Sequence, residues 1–270
     1  MGQYVTVQGT QTYYEVAGEG EPLVLLHGGG MTVESWAQQI PALGGHYRVY
    51  APERSSHGRT ADREGEMSYA GMAEETGHFM DALGVGAARV VGWSDGGAVA
   101  LHLALRRPEL VRRLTLIGAR ADNSGGTEDG LALVGGSEEN LDAVRQMFGG
   151  LYCALSPDGP AHFEVVLQKW QRMWQRMWQR MWQRMWQAGP GIELSELGRI
   201  TVPALVMQGD HDGVQVEYSA AMMRSLPMGQ LAVVPGTSHA LPLEKPTLVN
   251  QLLLDFLREE APLPLMFALS

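Results

Sequence analysis

The chain has 270 residues, of which 45 % are hydrophobic, so it is long enough to bury a sizeable core and is not expected to be disordered. Its formal net charge of −10, from 30 acidic and 20 basic residues, argues against nucleic acid or an anionic membrane as a partner, because both require a basic surface. The single cysteine, Cys153, permits no intrachain disulfide, which fits a reducing compartment. No signal segment and no long apolar run is visible, so we expect a cytoplasmic protein that does not enter a membrane.

The opening residues alternate apolar and polar side chains around Gly9-Thr10, which predicts two antiparallel strands. Six short and nearly continuous apolar runs follow, as is typical of strands buried on both faces. These runs are LVLLHG (23–28), YRVYAPE (47–53), ARVVGWS (88–94), RRLTLIGA (112–119), PALVMQGD (203–210) and QLAVVPG (230–236). The segments with helical spacing are VESWAQQIPAL, MAEETGHFMDALG, GGAVALHLALRRP, EYSAAMMRSL and TLVNQLLLDFLREE. This alternation predicts an α/β fold with a mostly parallel sheet of eight strands and helices on both faces.

One interval interrupts the alternation of strands and helices. Roughly 80 residues, from 119 to 199, separate two strands that elsewhere are joined by far fewer, and a structureless loop of that length would be unusual in a compact domain. We therefore predict that residues 119–199 form an inserted helical segment, and that residues 1–118 and 200–270 together form the core.

Ser94 is the first candidate for chemistry. It lies in GWSDGG, which follows the predicted strand ARVV and precedes the helical pattern AVALHLALRR. A sharp turn from strand to helix places a serine hydroxyl above the sheet, and it requires glycine-sized neighbours such as Gly92 and Gly96. The turn also places Ser94 at a helix N-terminus, where developing negative charge is favoured. We interpret Ser94 as a nucleophile.

A serine nucleophile needs a base, and the base needs a group that orients it. His239, in PGTSHAL, and Asp212, in QGDHDGV, supply these groups in the order serine, acid, histidine, and both follow predicted strands. Asp210 competes with Asp212 for the acid, but it directly follows its strand and is more suited to ordering the loop. An Asp-His-Asp metal site at 210–212 is disfavoured, and no metal is predicted.

Acyl transfer also requires hydrogen-bond donors for the oxyanion. Glycines in LLHGGGM follow the third predicted strand, where a backbone N–H can face the site without a side chain in the way. We assign the two donors to the N–H groups of Gly29 and Asp95. Gly28, Gly30 and Trp93 flank these groups and are predicted to contact the substrate.

Together, LLHGGG, APERSSHGRT, GWSDGG, MQGDHDGV and PGTSHALPLEKP resemble the α/β-hydrolase superfamily over essentially the whole chain. The resemblance implies the α/β-hydrolase fold, with a helical cap inserted over the active site at 119–199. Its serine implies ester-type hydrolysis without a cofactor. APERSSHGRT departs from the usual Pro-Asp-x-x-Gly-His-Gly pattern of the family at Glu53 and Ser56, so the loop geometry there is expected to differ.

GWSDGG looks most like the small carboxylesterase branch that includes valacyclovir-hydrolase-like enzymes. In that group the aspartate beside the nucleophile helps to select amino-acid esters, which implies the same role for Asp95. Some similar bacterial esterases open acyl-homoserine lactones. We therefore expect a serine esterase with a small-molecule ester as its partner. Lactone opening, carbon–carbon bond hydrolysis and perhydrolysis on the same triad remain alternatives, as does a catalytically silent binding module.

The unit QRMW occurs four times in a row at 171–186, inside the predicted cap. On a helix, side chains four residues apart drift by about 40° per step, so the tryptophans and methionines form a slowly spiralling apolar stripe. The repeat is interpreted as a tandem expansion of a cap helix that ends at Gly189-Pro190. Three roles stay open: the helix lines the pocket, provides a surface for self-association, or packs inertly against the cap. An exposed stripe of this kind favours self-association.

Overall fold

The computed structural model describes residues 2–62, 67–127, 149–150, 152–153, 156, 158–172, 185 and 188–258. Within them, eight strands form one sheet. The strands are β1 (Gly2–Val7), β2 (Thr10–Ala17), β3 (Pro22–Leu26), β4 (Arg48–Pro52), β5 (Ala88–Trp93), β6 (Val111–Ile117), β7 (Ala204–Gly209) and β8 (Gly229–Val234). Their order across the sheet is β1-β2-β4-β3-β5-β6-β7-β8.

The sheet is parallel except at one edge. The hairpin β1-β2 is antiparallel, and β2 also runs antiparallel to β4, whereas the remaining neighbours are parallel. This confirms the predicted eight-stranded, mostly parallel sheet. The register pairs Leu26 with Gly92 and Trp93 with Ile117, so the loops that follow β3, β5 and β6 begin side by side at the carboxyl edge.

Helices connect the strands as the spacing predicts. They are α1 (Gln39–Gly44), α2 (Tyr69–Ala82), α3 (Asp95–Arg106), α4 (Gly159–Arg172), α5 (Val216–Ser225), α6 (Leu241–Glu244) and α7 (Pro246–Leu257), with short 3₁₀ turns at Val33–Trp36, Pro108–Leu110 and Leu194–Arg199. The segment VESWAQQIPAL is divided into a 3₁₀ turn and the short helix α1. Pro41 explains the division, because proline lacks an N–H and is tolerated only in the first turn of a helix.

Apolar side chains of the sheet enter two separate buried clusters, one on each face. In β3, Val24 and Leu26 join the cluster that packs against α2, α3 and α5, whereas Leu23 and Leu25 join the cluster beneath α1 and α7. Strands buried on both faces were predicted for all six apolar runs, but β8 departs from this. It pairs only with β7, and Val233 on it is 37 % exposed, because an edge strand has a neighbour on one side only.

Much of the predicted inserted segment, including most of the repeat at 171–186, lies outside the described residues. The cap assignment and the Trp/Met stripe therefore remain predictions. At the end of the repeat, Met185 is buried in the cluster that packs against α3 and α5. Ala188 is helical and Gly189 has a φ of +67°, which agrees with the predicted helix end. Among the described helices, none combines the length and apolarity needed to cross a bilayer.

Candidate active site

Ser94 occupies the sharp turn between β5 and α3. Its φ of 56° and ψ of −120° are rare for a residue with a side chain. The glycines beside it permit the turn, because a Cβ on Gly92 would lie 2.2 Å from the Gly96 carbonyl oxygen and one on Gly96 would lie 2.0 Å from that of Leu26. The strained conformation and the close packing are what a serine held above the edge of a sheet requires.

His239 and Asp212 meet beside this turn. The Nδ1 atom of His239 lies 2.8 Å from Oδ1 of Asp212, whose side chain is fully buried. The N–H of Val214 donates a second hydrogen bond to the same carboxylate oxygen, at 3.1 Å. With Nδ1 donating to Asp212, the Nε2 atom of His239 is the nitrogen that can accept a proton.

The end of β6 links the His239–Asp212 pair to Ser94. The Ser94 N–H donates to the Ile117 carbonyl at 2.8 Å. A Cβ on the next residue, Gly118, would lie 2.8 Å from His239 Nδ1 and 2.9 Å from Asp212 Oδ2. Ser94 and the His239–Asp212 pair, although 145 positions separate Ser94 from His239 in the sequence, thus both adjoin the end of β6, Ser94 through Ile117 and the pair through Gly118.

Asp210, the competing acid, serves the loop instead. Its Oδ1 accepts hydrogen bonds from the Thr237 N–H and from His211, both at 3.0 Å. Hydrogen bonds from the backbone of Gly236, from the His211 side chain and from the backbone of Thr237 hold the pKa of Asp210 well below its usual range. This carboxylate therefore joins the loops after β7 and β8 and does not contact His239.

The environment of His239 acts on its pKa in two directions. Burial lowers the pKa, but the hydrogen bond to Asp212 and the negative charge of that carboxylate raise it by more, so the pKa lies above its ordinary value. The charge of Asp95 adds to the rise, and that of Arg120 opposes it. Such an imidazole is a stronger base than an isolated one, provided that the pH is high enough to keep it neutral.

The glycine loop after β3 lies against the turn. Gly28 approaches Ser94 so closely that a Cβ on it would lie 3.3 Å from the Ser94 Cβ, and Gly30 adopts a φ of +68°. Asp95 is the first residue of α3, where backbone N–H groups favour an anion. Gly28 therefore lies against Ser94 and Asp95 directly follows it, and Gly29 and Gly30 belong to the same loop as Gly28. Their roles as donors and substrate contacts remain predictions.

Trp93 corrects one expectation. Its side chain has no exposed area and packs in the core edge-to-face with Trp36, the ring centroids lying 5.8 Å apart. Its Nε1 donates to the His239 carbonyl at 2.9 Å. Alternation along β5 points Trp93 into the core, and this burial contradicts the predicted substrate contact. The residue instead supports the loop that carries His239.

Arg54 is a site residue that the sequence pattern did not reveal. It is 4 % exposed, and its Nη2 donates to the carbonyl oxygens of His27 at 2.7 Å and Gly28 at 2.9 Å, which pins the glycine loop. Its backbone N–H donates to His27 Nε2 at 3.1 Å, so the Nδ1 proton of His27 is directed to the Gly28 carbonyl. Burial, with the charges of Arg54 and His57, lowers the pKa of His27 well below its ordinary value and keeps this ring neutral.

Tyr69 is a second such residue, because its hydroxyl donates to the Asp95 carboxylate at 2.9 Å. Asp95 is 8 % exposed and lies close enough to Arg54 for the two charges to interact. The carboxylate beside the nucleophile is therefore already engaged by protein groups. No feature of the sequence links Tyr69 to this site, since the residue merely begins α2.

Glu53 and Ser56, where APERSSHGRT departs from the family pattern, lie in the loop after β4. Ser56 adopts a φ of +66°, the left-handed conformation that glycine favours, so the loop keeps a turn in spite of its serine. Glu53 is fully buried, and its Oε1 bonds Nη1 of Arg59 at 2.6 Å. Burial raises the pKa of Glu53 to about 7, although the charge of Arg59 opposes that rise.

A cleft of about 140 Å³ lies between the β1–β2 hairpin, the loop after β4 and helix α2. Arg54 lines it, but Ser94, Asp212 and His239 do not. The candidate active site therefore lies at the Ser94 turn and not in this cleft.

Residues 23–252 match the alpha/beta hydrolase family. The chain belongs to that family. The match covers most of the sheet and all of the Ser94, Asp212 and His239 positions. It confirms the predicted fold class and places the chain among α/β-type hydrolases.

Similar proteins are hydrolases of more than one kind. The chain is 28 % identical over 261 residues to a pimeloyl-acyl-carrier protein methyl ester esterase of Yersinia enterocolitica, covering 92 % of this chain and 98 % of that one. It is 34 % identical over 161 residues to a 2-hydroxy-6-oxo-6-(2'-aminophenyl)hexa-2,4-dienoic acid hydrolase of Metapseudomonas resinovorans, but that match spans 58 % of this chain and only about half, 54 %, of the relative.

A solved structure is similar over nearly the whole chain. The meta-cleavage product hydrolase from Pseudomonas fluorescens IP01 superposes with a TM-score of 0.80 at 27 % identity, covering 95 % of this chain and 97 % of that one. These three relatives are all hydrolases or esterases by name, and their names differ in the substrate. Assignment to the valacyclovir-hydrolase-like branch stays a prediction.

Proposed function

We propose that this protein is a serine hydrolase that cleaves small carboxylic esters through an acyl-enzyme intermediate. The observation that carries the proposal is that a strained serine and a hydrogen-bonded histidine–aspartate pair both adjoin the end of β6, the serine through Ile117 and the pair through Gly118. In this proposal Ser94 is the nucleophile, His239 the base and Asp212 the group that orients the imidazole.

The geometry supports a reaction in two halves. Ser94 Oγ attacks the ester carbonyl while His239 Nε2 takes its proton, and the N–H groups of Gly29 and Asp95 stabilise the oxyanion. The same proton then passes to the departing alcohol, which leaves an ester between Ser94 and the acyl group. Water, activated by His239, attacks this ester and releases the carboxylic acid.

Carbon–carbon bond hydrolysis is the second candidate. The names of two matches favour it, a hexadienoic acid hydrolase similar in sequence and a meta-cleavage product hydrolase similar in structure. Lactone opening requires the same groups as ester cleavage and is tested in the same assay. For all three reactions the triad is the common element, and the substrate distinguishes them.

The first experiment measures hydrolysis of p-nitrophenyl esters from acetate to decanoate by the wild type and by Ser94→Ala. An acyl-homoserine lactone, an amino-acid ester and a vinylogous 1,5-diketone are included to separate the candidate reactions. We expect turnover by the wild type and a loss of at least about 10³-fold in Ser94→Ala.

A covalent label supplies a second readout. A fluorophosphonate should add to the peptide that contains Ser94 and to no other serine, as measured by mass spectrometry. Ser225→Ala is the matched control, because that serine lies in α5 and donates only to the Ala221 carbonyl. Full activity of Ser94→Ala, or labelling at another serine, would refute the proposal.

A further inference from the structure

Arg120 lies on the loop that leaves β6 towards the candidate active site. Two residues before it, Gly118 contacts both His239 and Asp212, and the Gly118 N–H donates to the Met207 carbonyl at 2.8 Å. The loop therefore borders the His239–Asp212 pair where it leaves the sheet.

Backbone hydrogen bonds hold the loop on the far side of Arg120. The N–H groups of Ala121 and Asp122 both donate to the Tyr218 hydroxyl at 3.1 Å, and the Ile192 N–H donates to the Ala121 carbonyl at 2.9 Å. Arg120 is thus carried by a short segment that is fixed on both sides, so its backbone position is defined by the fold.

The Arg120 guanidinium is partly buried and incompletely satisfied. Its Nη1 atom is buried and has no hydrogen-bond partner among the described residues. The charge acts on His239 and on Tyr69, the residue that bonds Asp95. A positive group with an unused N–H is therefore carried two residues beyond Gly118, which lies against His239 and Asp212.

An incompletely paired buried cation is costly, and a fold retains one where a ligand completes its hydrogen bonds. A guanidinium matches a carboxylate in geometry and charge. Asp95 accepts from Tyr69 and Asp212 accepts from His239, while Arg54, whose Nε also lacks a partner in the part of the chain that the structure describes, is committed through its Nη2 to two carbonyl groups of the glycine loop. Arg120 is left as the group that can select the charge of a substrate.

We propose that Arg120 binds a carboxylate carried by the substrate, so that the preferred substrates are esters with a free carboxylate in addition to the reacting group. This inference rests on the proposed ester hydrolysis, because it names the substrate class of that same site. It opposes the expectation that Asp95 selects amino-acid esters, whose ammonium group would approach Arg120.

The test compares two esters of equal length, p-nitrophenyl hexanoate and the mono-p-nitrophenyl ester of adipic acid. The wild type should prefer the anionic ester in kcat/KM. Arg120→Met should reduce that preference, taken as the ratio of kcat/KM for the two esters, by about 10- to 100-fold, the range for one hydrogen bond between charged groups. Arg120→Lys should retain part of the preference. An unchanged ratio in Arg120→Met would overturn the proposal.

A binding measurement separates this proposal from the proposed function. Calorimetry in the Ser94→Ala background compares hexanoate with hexanamide, which differ in charge but not in shape. Adding Arg120→Met should weaken hexanoate binding by about tenfold or more and leave hexanamide unaffected, whether or not esters are substrates. Equal weakening of both ligands would overturn it. Arg199→Met is the matched control, because that side chain is 65 % exposed and contacts Glu196. Arg120→Lys remains informative if Arg120→Met does not fold.

Discussion

At the residue scale, Ser94 and Ser56 both adopt left-handed backbone conformations, but they do so in different settings. At Ser94 the conformation holds the hydroxyl above the sheet, and the absence of side chains at Gly92 and Gly96 permits the close backbone packing of this turn. At Ser56 a serine stands where the family pattern has glycine, and its N–H donates to the Ala61 carbonyl at 3.1 Å. Strain at Ser94 therefore accompanies the proposed chemistry, whereas strain at Ser56 is open to removal.

Replacing Ser56 by glycine should relieve this backbone strain. Comparison with Ser56→Ala isolates the effect, because both variants lose the hydroxyl and only glycine accepts a positive φ without cost. We expect Ser56→Gly to be more stable than Ser56→Ala by about 1 kcal/mol, measured by urea unfolding. Ser55 is the control, because its φ is not positive, and there the alanine variant should be more stable than the glycine variant. If the glycine variant were the less stable one at Ser56 as well as at Ser55, the interpretation would be contradicted.

The pH profile tests the roles of His239 and Asp212. A base must be neutral, so kcat/KM should fall as the pH drops below the pKa of His239. Asp212 raises that pKa, so Asp212→Asn should move the acidic limb to lower pH and also reduce the plateau by about 10³- to 10⁴-fold. Asp210→Asn is the matched control and should leave the acidic limb in place. An unmoved limb in Asp212→Asn would exclude Asp212 as the orienting acid.

At the element scale, Arg59 joins the loop after β4 to the segment that precedes α4. Its side chain is 3 % exposed and forms ion pairs with Glu34, with Glu53 at 2.6 Å and with Asp158 at 2.6 Å. It also donates to Ser156 at 2.8 Å. The Tyr13 and Tyr152 rings lie on either side, with centroids 4.5 and 5.4 Å from the guanidinium carbon. One side chain thus fastens part of the inserted segment to the core.

Arg59→Met should destabilise the fold by about 3–5 kcal/mol at pH 8, because it leaves the Glu34 and Glu53 carboxylates buried without their cation. The loss should shrink at pH 5.5. Arg59 normally lowers the pKa of Glu53, so in the variant Glu53 binds a proton more readily and its charge disappears as the pH falls.

Urea unfolding at both pH values measures this difference. Arg106→Met is the control, because its ion pair with Glu74 is about half exposed and contributes at most about 1 kcal/mol. An equal loss in the two variants, or a loss in Arg59→Met that does not depend on pH, would show that the buried carboxylates are not the cause.

At the scale of the whole molecule, the repeat at 171–186 is the feature that the hydrolase fold does not require. An apolar stripe of tryptophan and methionine on an exposed helix favours association between copies of the chain. Met185, in the last unit of the repeat, is buried against the core.

Deleting residues 175–186 removes three units and keeps one. In the deletion variant Met173 and Trp174 directly precede the Gln-Ala-Gly-Pro of residues 187–190. We expect the full chain to sediment as a concentration-dependent oligomer and the deletion variant to sediment as a monomer. Trp174→Gln with Trp178→Gln is the matched control, since it keeps the length and removes apolar surface. A full chain that stays monomeric at every concentration would exclude self-association.

Local sequence determined much of this protein. Apolar runs separated by helical spacing determined the strands and helices, because burial on both sides of a sheet leaves no alternative pattern for those runs. The GWSDGG turn was also predictable, since its steric requirements involve residues that are neighbours in sequence or follow an adjacent strand. Ser94, Asp212 and His239 were expected at one edge of the sheet because each follows the carboxyl end of a predicted parallel strand.

Only the tertiary structure decided which distant groups meet there. The pinning of the glycine loop by Arg54, the bond from Tyr69 to Asp95 and the buried Nη1 of Arg120, unpaired within the described part of the chain, arise between segments that no periodic pattern links. Trp93 was misplaced because β5 is buried on both faces, so its position directly before Ser94 did not reveal that its ring packs in the core. Hydrophobic periodicity is a local property of the chain, whereas the pairing of buried polar groups depends on the three-dimensional packing that periodicity produces.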